Sequence, residues 1–387
     1  MNIFRQSKAS CYETLIRANL NFKETINILN MQTVYFDLLH LYYLPQFLPV
    51  AQVLLDKGAK VLFVVYAKSD VVDITKQALN DENFDYVVVG GEKSAIEHYL
   101  SKKPDWVIFG NAPSSNYIAL KGLPVKMAFM QHGIGPKACY YSSSEFPFDA
   151  RFVEGDTRKQ RLQKMFPKAT FVDVGYAKLD SLFNGKDEPI SLRALGLNPN
   201  KKTLLYAPTF YPSSIECFGG DWPQSLANYN LIIKPHFFSL TKSKYSKQRA
   251  LLDEWSKYDN VYLSPVNCYS LLPFMQVSDV LLSEASSTVF EFSALDKPTV
   301  WCDFYHVRWS YKGLFKFRFA ERMDKDLSLF DRLCERAKSP NEVLSKIQYC
   351  LTNKEEKSAL RKEITLSMTG KTDGKCSERI VQFLLAN

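Results

Sequence analysis

The sequence predicts an α/β fold made of two successive parallel-sheet units that share one chain and face a common cleft. Two patterns carry this expectation. Short apolar, β-branched runs alternate with helical stretches, as buried parallel strands and their crossovers require. The alternation is interrupted once, at residues 184–202, where Gly185, Pro189, Gly196 and Pro199 in a polar surround read as a linker. A length of 387 residues also suits two domains.

In the first unit the strand-like runs are Thr33–Phe36, Ala59–Val65, Tyr86–Val89, Trp106–Phe109, Lys126–Met130, Ala150–Glu154 and Thr170–Val174. Leu41 to Pro45 forms a loop entering a helix, and Ser94–Leu100 and Thr157–Phe166 read as helices. The basic stretch Thr157–Lys168 is expected to pack on one face and stay wet on the other, with lipid contact as the less favoured reading. The second series is Thr203–Ala207, Leu231–Lys234, Val261–Leu263, Val280–Leu282 and Thr299–Trp301, with a helix at about Ser287–Leu295. Periodicity predicts that Leu327 to Asn387 is mostly helical. The expected division is 1–30 as a dispensable extension (with Met31 as an alternative start), 31–190, 200–370, and a C-terminal helix over 371–387.

Composition narrows the function classes. With 46% hydrophobic and 23% charged residues the chain is not disordered. A net charge of +8 suits phosphorylated substrates or an anionic membrane surface, and is too diffuse to indicate nucleic acid. No two of the eight cysteines have metal-ligand spacing, so zinc-finger, CxxC and haem readings fail. No metal and no cofactor is expected. Scattered thiols, no apolar run of about 18 residues and no signal-peptide pattern point to the cytoplasm, with peripheral attachment to the inner face of the cell membrane left open.

Four segments carry chemistry, each with a blander reading beside it. In Phe129 to Lys137, His132 follows an apolar strand and precedes Gly133, Gly135 and Lys137. Such a histidine takes a proton near neutral pH, the glycines admit a ligand to the backbone, and Lys137 meets phosphate charge. The bland reading is a structural histidine in a βα loop. In Leu231 to His236 a second strand ends in Lys234, Pro235 and His236, and two strand-end histidines facing one cleft outweigh two unrelated caps. In Ser278 to Glu291 a strand leads through Ser283 and Glu284 to Ser286 and Ser287, good capping residues and equally a phosphate seat. Val174 to Asp180 and Leu205 to Phe210 border the cleft as plain turns. Gly370-Lys371-Thr372 lacks the earlier glycine of a phosphate loop. Asp324-Lys325-Asp326 has metal-site spacing but reads as a solvated face. Trp309–Arg318 is a basic aromatic stretch that reads as a surface loop.

Taken in order, these segments resemble the CDP-glycerol glycerophosphotransferase family, which includes teichoic acid primases and polymerases. The order is His132-Gly133 with Lys137; Gly175-Tyr176 with Asp180; Tyr206 to Thr209; Lys234 to His236; and Ser278-Asp279 through Ser287. The resemblance runs from about residue 33 to about 320. It implies a GT-B fold, with two Rossmann-like doubly wound domains and the nucleotide held mainly by the second. It further implies transfer of glycerol phosphate, or a related alditol phosphate, from a CDP-alditol to a hydroxyl acceptor, with CMP leaving. The acceptor class is a polyol-phosphate or glycan, which includes lipid-linked forms.

On that resemblance His132 is the general base and His236 contacts or protonates the phosphates. Gly133, Lys137, Thr209, Lys234, Ser283, Glu284, Ser286, Ser287 and Thr288 make up the donor site. Met130-Gln131, Ser283-Glu284 and Lys312 depart from the usual family residues. The competing readings are a GT-B glycosyltransferase or sugar-nucleotide enzyme using a UDP-sugar, and a non-catalytic protein binding anionic polymer.

Overall fold

The computed structural model describes residues 31–185, 189–306 and 323–387. The 1–30 extension, Trp309–Arg318 and Lys312 lie outside the described residues.

The first sheet has seven strands: β1 (Thr33–Leu38), β2 (Lys60–Tyr66), β3 (Tyr86–Val89), β4 (Trp106–Phe109), β5 (Lys126–Met130), β6 (Ala150–Val153) and β7 (Phe171–Asp173). Their order is β3-β2-β1-β4-β5-β6-β7, and every pairing is parallel. The second sheet holds β8 (Thr203–Tyr206), β9 (Asn230–Ile233), β10 (Val261–Leu263), β11 (Val280–Ser283), β12 (Thr299–Cys302) and β13 (Glu335–Ala337). Its order, β10-β9-β8-β11-β12-β13, repeats the same winding and is also all parallel. Each sheet therefore reverses direction once, between β1 and β4 and between β8 and β11. Helices cover both faces, so central strands such as β4, β8 and β11 are buried throughout, which explains their continuous apolar runs.

One strand escapes the sequence reading. β13, Glu-Arg-Ala, lies within the stretch expected to be mostly helical, because three residues with a single apolar one carry no period.

Five helices position the site: α1 (Leu44–Asp56), α2 (Asp156–Met165), α3 (Ser287–Ser293), α4 (Ser358–Thr369) and α5 (Cys376–Ala386). Gly370 ends α4 at a φ of +75° and lies against Gly155 and Gly175, so a side chain there would strike backbone. The chain then crosses back to the first sheet, where α5 buries Ile380, Val381 and Leu384 in the core around β1 and α1. Each such side chain contributes roughly 1.5–3 kcal/mol on burial, enough to dock the helix. The Asp180 carboxylate accepts from the amides of Cys376 and Ser377 at 3.0 and 2.6 Å, satisfying the start of α5.

The charged segment 324–326, expected to be solvated, is instead a joint between the domains. Arg161 on α2 donates to both oxygens of Asp324 at 2.7 and 2.6 Å, and Tyr141 donates to Asp326. The two carboxylates are 8% and 13% exposed, which corrects the solvated-face reading of Asp324-Lys325-Asp326. α2 packs on one face, where Leu162 and Arg158 beside Glu154 are buried, and leaves Lys164 exposed on the other. No helix among the described residues is long and apolar enough to cross a membrane.

Candidate active site

The two strand-end histidines meet across one tyrosine. His132 follows β5 and His236 follows β9, and the ring of Tyr42 lies 4.9 Å from the first and 5.9 Å from the second. Tyr43 stacks on His132 at 5.0 Å and Phe210 packs on His236 at 4.6 Å. Both histidines are half-buried in aromatic surroundings, and burial is the main reason each favours its neutral form. The His132 pKa falls to about 4, and that of His236 to about 3. Lys137 adds repulsion at both rings, and Lys234 adds more at His236.

Their tautomers are opposite. The His132 Nδ1 lies 2.7 Å from the carbonyl of Gly110, which only accepts, so Nδ1 carries the proton and Nε2 presents a lone pair. The His236 Nδ1 accepts from the Phe238 amide at 3.2 Å, so its proton resides on Nε2. One imidazole is therefore set to take a proton and the other to donate a hydrogen bond. The Tyr176 hydroxyl donates to the His132 carbonyl at 3.0 Å and steadies the loop from behind.

That loop reaches the second domain at close range. A side chain on Gly135 would sit 3.0 Å from the amide nitrogen of Ser287, and one on Gly133 would strike the Tyr140 hydroxyl at 2.5 Å. Glycine is the residue that lets the loop approach. Beyond it, the Asp324 amide donates to the Pro136 carbonyl at 2.9 Å and Lys137 pairs with Met323. Lys178 Nζ meets Glu291 of α3 at 2.7 Å, another interdomain tie.

Two cavities lie where the second sheet reverses. One, about 150 Å³, is lined by Tyr42, Thr209, Lys234, His236, Ser286 and Thr288, among others. The other, about 240 Å³, includes Lys137, Thr209, Glu284, Trp301, Tyr305 and Arg336. Thr209 belongs to both, so the two adjoin. Burial pushes Lys234 below the ordinary lysine range. The Arg336 guanidinium stacks 4.5 Å over the Trp301 ring and bonds to Asp303.

The expected site residues divide by what their side chains do. His132, Lys137, Thr209, Lys234, His236, Ser286 and Thr288 face the cleft or its cavities, whereas Ser287 makes the close interdomain contact with Gly135, and Gly133 lies against Tyr140 of its own domain. Ser286 caps α3 by accepting from the Thr288 amide. Ser283 and Glu284 are largely spent on structure. Ser283 donates to the Ala207 carbonyl at 2.8 Å, and Glu284 accepts from the amides of Thr209 and Ser214 and from the Ser214 hydroxyl. Burial raises the Glu284 pKa, opposed by those donors. Both hold the loop after β8 in place. Sequence reasoning missed Tyr42 and Arg336: the first is one aromatic among many, and the second lies on the unrecognised β13.

Residues 148–386 match the family described as CDP-glycerol:poly(glycerophosphate) glycerophosphotransferase. The chain belongs to that family. A teichoic acid glycerol-phosphate primase from Bacillus spizizenii is 30% identical over 131 residues, covering 33% of this chain and 33% of the relative. A teichoic acid ribitol-phosphate primase from the same organism is 34% identical over 101 residues, 26% of this chain and 25% of that one. The matched segments thus span a third or less of each relative's length. In three dimensions the chain is similar to the wall teichoic acid polymerase TagF, with a TM-score of 0.63 at 15% identity, covering 98% of this chain and 96% of that one. It is also similar to Staphylococcus aureus MnaA solved with UDP, with a TM-score of 0.60 at 14% identity, covering 91% and 95%. The fold of this family member is GT-B.

Proposed function

We propose that the protein transfers glycerol phosphate, or a related alditol phosphate, from a CDP-alditol to a hydroxyl of a cell-surface polymer or its lipid-linked precursor. The observation that carries this is the pair of opposite histidine tautomers on the two sides of one cleft. The acceptor oxygen attacks the phosphorus that bears the alditol, and the P–O bond to the bridging oxygen breaks. CMP leaves with that oxygen, and the acceptor proton passes to His132 Nε2. His236 Nε2–H donates to a phosphate oxygen, while Lys137 and Lys234 offset the diphosphate charge beside Ser286 and Ser287. The same diphosphate offsets the lysines' repulsion of both imidazoles, so donor binding raises the basicity of His132. The cavity beside Trp301 and Arg336 receives the nucleoside.

A thermal-shift panel with CDP-glycerol, CDP-ribitol, CMP, UDP-sugars and UMP tests the donor class. Ligand at about 100 times its Kd stabilises by roughly 2.7 kcal/mol, a readable shift. Stabilisation by cytidine ligands alone is expected. Stabilisation by uridine ligands would replace this reading with a sugar-nucleotide enzyme. The charge of +8 supports a peripheral site on an anionic membrane. Liposome flotation at low salt is expected to carry the protein, and an unbound protein sinks that part.

A further inference from the structure

The first sheet has its own crevice where β1 and β4 diverge. It holds a cavity of about 200 Å³, with Asp37, Tyr43, Glu92, Gly110 and Asn111 among its walls. Two of these tie it to the proposed base: the Gly110 carbonyl fixes His132, and the Tyr43 ring stacks on it. The others have no part in the mechanism above.

The polar groups of this cavity are arranged for hydroxyls. Asp37 is 5% exposed. The hydroxyls of Tyr66 and Tyr99 both donate to its Oδ2, at 2.7 and 2.8 Å, and that of Tyr117 bonds to Tyr66 at 2.7 Å. The Tyr117 hydroxyl hydrogen-bonds to Asp37 as well, and all three tyrosines favour its ionised form. The hydroxyl of Tyr43, a residue only 1% exposed, makes no hydrogen bond of good geometry, although the Tyr42 hydroxyl acts on it. Buried polar atoms are seldom left unpaired, and this one belongs to the cavity wall. Glu92 accepts from the Asn116 side chain at 2.6 Å and from Ser114, which holds the rim loop in shape.

Among the described residues no lysine or arginine lines the cavity, whereas two carboxylates do. Burial raises the Asp37 pKa to about 6, so at neutral pH it is still mainly ionised. A phosphate here meets negative charge and finds no counter-ion. A neutral polyol gives O–H donors to Asp37 and oxygen acceptors to Tyr43, and needs neither.

We propose that this cavity seats the neutral, polyhydroxylated end of the acceptor, a sugar or alditol unit, and delivers its hydroxyl to His132. The assignment rests on the transfer reading for its purpose, but its test needs no nucleotide. Saturation-transfer NMR with glycerol, ribitol and N-acetylglucosamine, and with glycerol 3-phosphate as the charged counterpart, reads the site directly. Two loop variants probe it. Ala112→Phe fills the space, and Asn111→Ala removes a polar wall from an exposed position. The neutral probes are expected to receive saturation from the unmodified protein, at least fivefold less from Ala112→Phe, and measurably less from Asn111→Ala. Glycerol 3-phosphate is expected to show no signal sensitive to Ala112→Phe.

Circular dichroism and a thermal midpoint establish that the filled variant folds, and the exposed Asn111→Ala carries the test if it does not. The proposal is overturned if the neutral probes give no signal at tens of millimolar. It is equally overturned if their signal is unchanged in the folded variants, or if glycerol 3-phosphate is preferred. A failed cytidine panel with these results intact would condemn the donor reading alone, and the reverse pattern would condemn the subsite alone.

Discussion

The two sheets have the same winding and open a crevice at the same place, yet among the described residues only the second crevice is lined by basic side chains. Beyond β8 and β11 lie Lys234 and the serines that begin α3, with Lys137 reaching in from the other domain. Beyond β1 and β4 lie Asp37, Glu92 and linked tyrosine hydroxyls. Strand order therefore decides where a ligand sits, and the side chains at the strand ends decide what it is. An anion suits the second crevice and a neutral polyol the first, with His132 and His236 between them.

The comparison can be broken most sharply at the histidines. In His132→Asn the side-chain amide can still donate to the Gly110 carbonyl while the Nε2 base is gone. Transfer is expected to fall about 10²–10⁴-fold, with CDP-glycerol affinity by calorimetry within a few-fold of the parent. Donor affinity that falls in step with the rate would move His132 to the binding side. His236→Ala acts on the anionic half, so the rate is expected to fall about 10²–10³-fold and donor binding to weaken with it. If donor binding is untouched, the histidine does not meet the phosphates.

Acidification sharpens the same contrast through stability. Both histidines have folded pKa values, about 4 and about 3, below the unfolded value near 6.5. The unfolded chain then binds more protons between those limits, so stability falls as pH drops below about 6.5 and levels off only near the folded values. Each half-buried ring is expected to contribute about 1–2 kcal/mol of loss between pH 7 and 5. Urea denaturation at the two pH values checks this, and His132→Asn should remove its share of the slope. An unchanged slope would mean that His132 is not held neutral by burial.

Smaller effects test how the halves are joined. Gly135→Ala brings a methyl group against the Ser287 amide, where a side chain would lie at 3.0 Å. Donor affinity is expected to weaken about 3- to 10-fold, the equivalent of about 1 kcal/mol, with the fold retained by circular dichroism. Asp324→Asn weakens the pair with Arg161. Because Arg161 is partly exposed, the cost is expected to stay below about 1 kcal/mol and to shrink in high salt. A larger loss in thermal denaturation would make this pair a main tie between the domains.

Much of this was legible in the residues themselves. Buried parallel strands need apolar, β-branched runs on both faces, so runs such as Lys126–Met130 and Val280–Leu282 announce their strands within a residue or two. The strand-end positions of His132, Lys234, His236 and Ser286 follow from the same runs, because function in such sheets gathers just past the apolar stretch. What the sequence could not contain was distance. Tyr42 between the histidines, the two tautomers, and the commitment of Glu284 to the loop after β8 depend on partners far along the chain. The fate of Asp324 and Asp326 depends on Arg161 and Tyr141, more than 160 residues away. Local pattern records which face of an element is apolar. Only the packed chain decides which charge meets which, because pairing across domains leaves no period along the sequence.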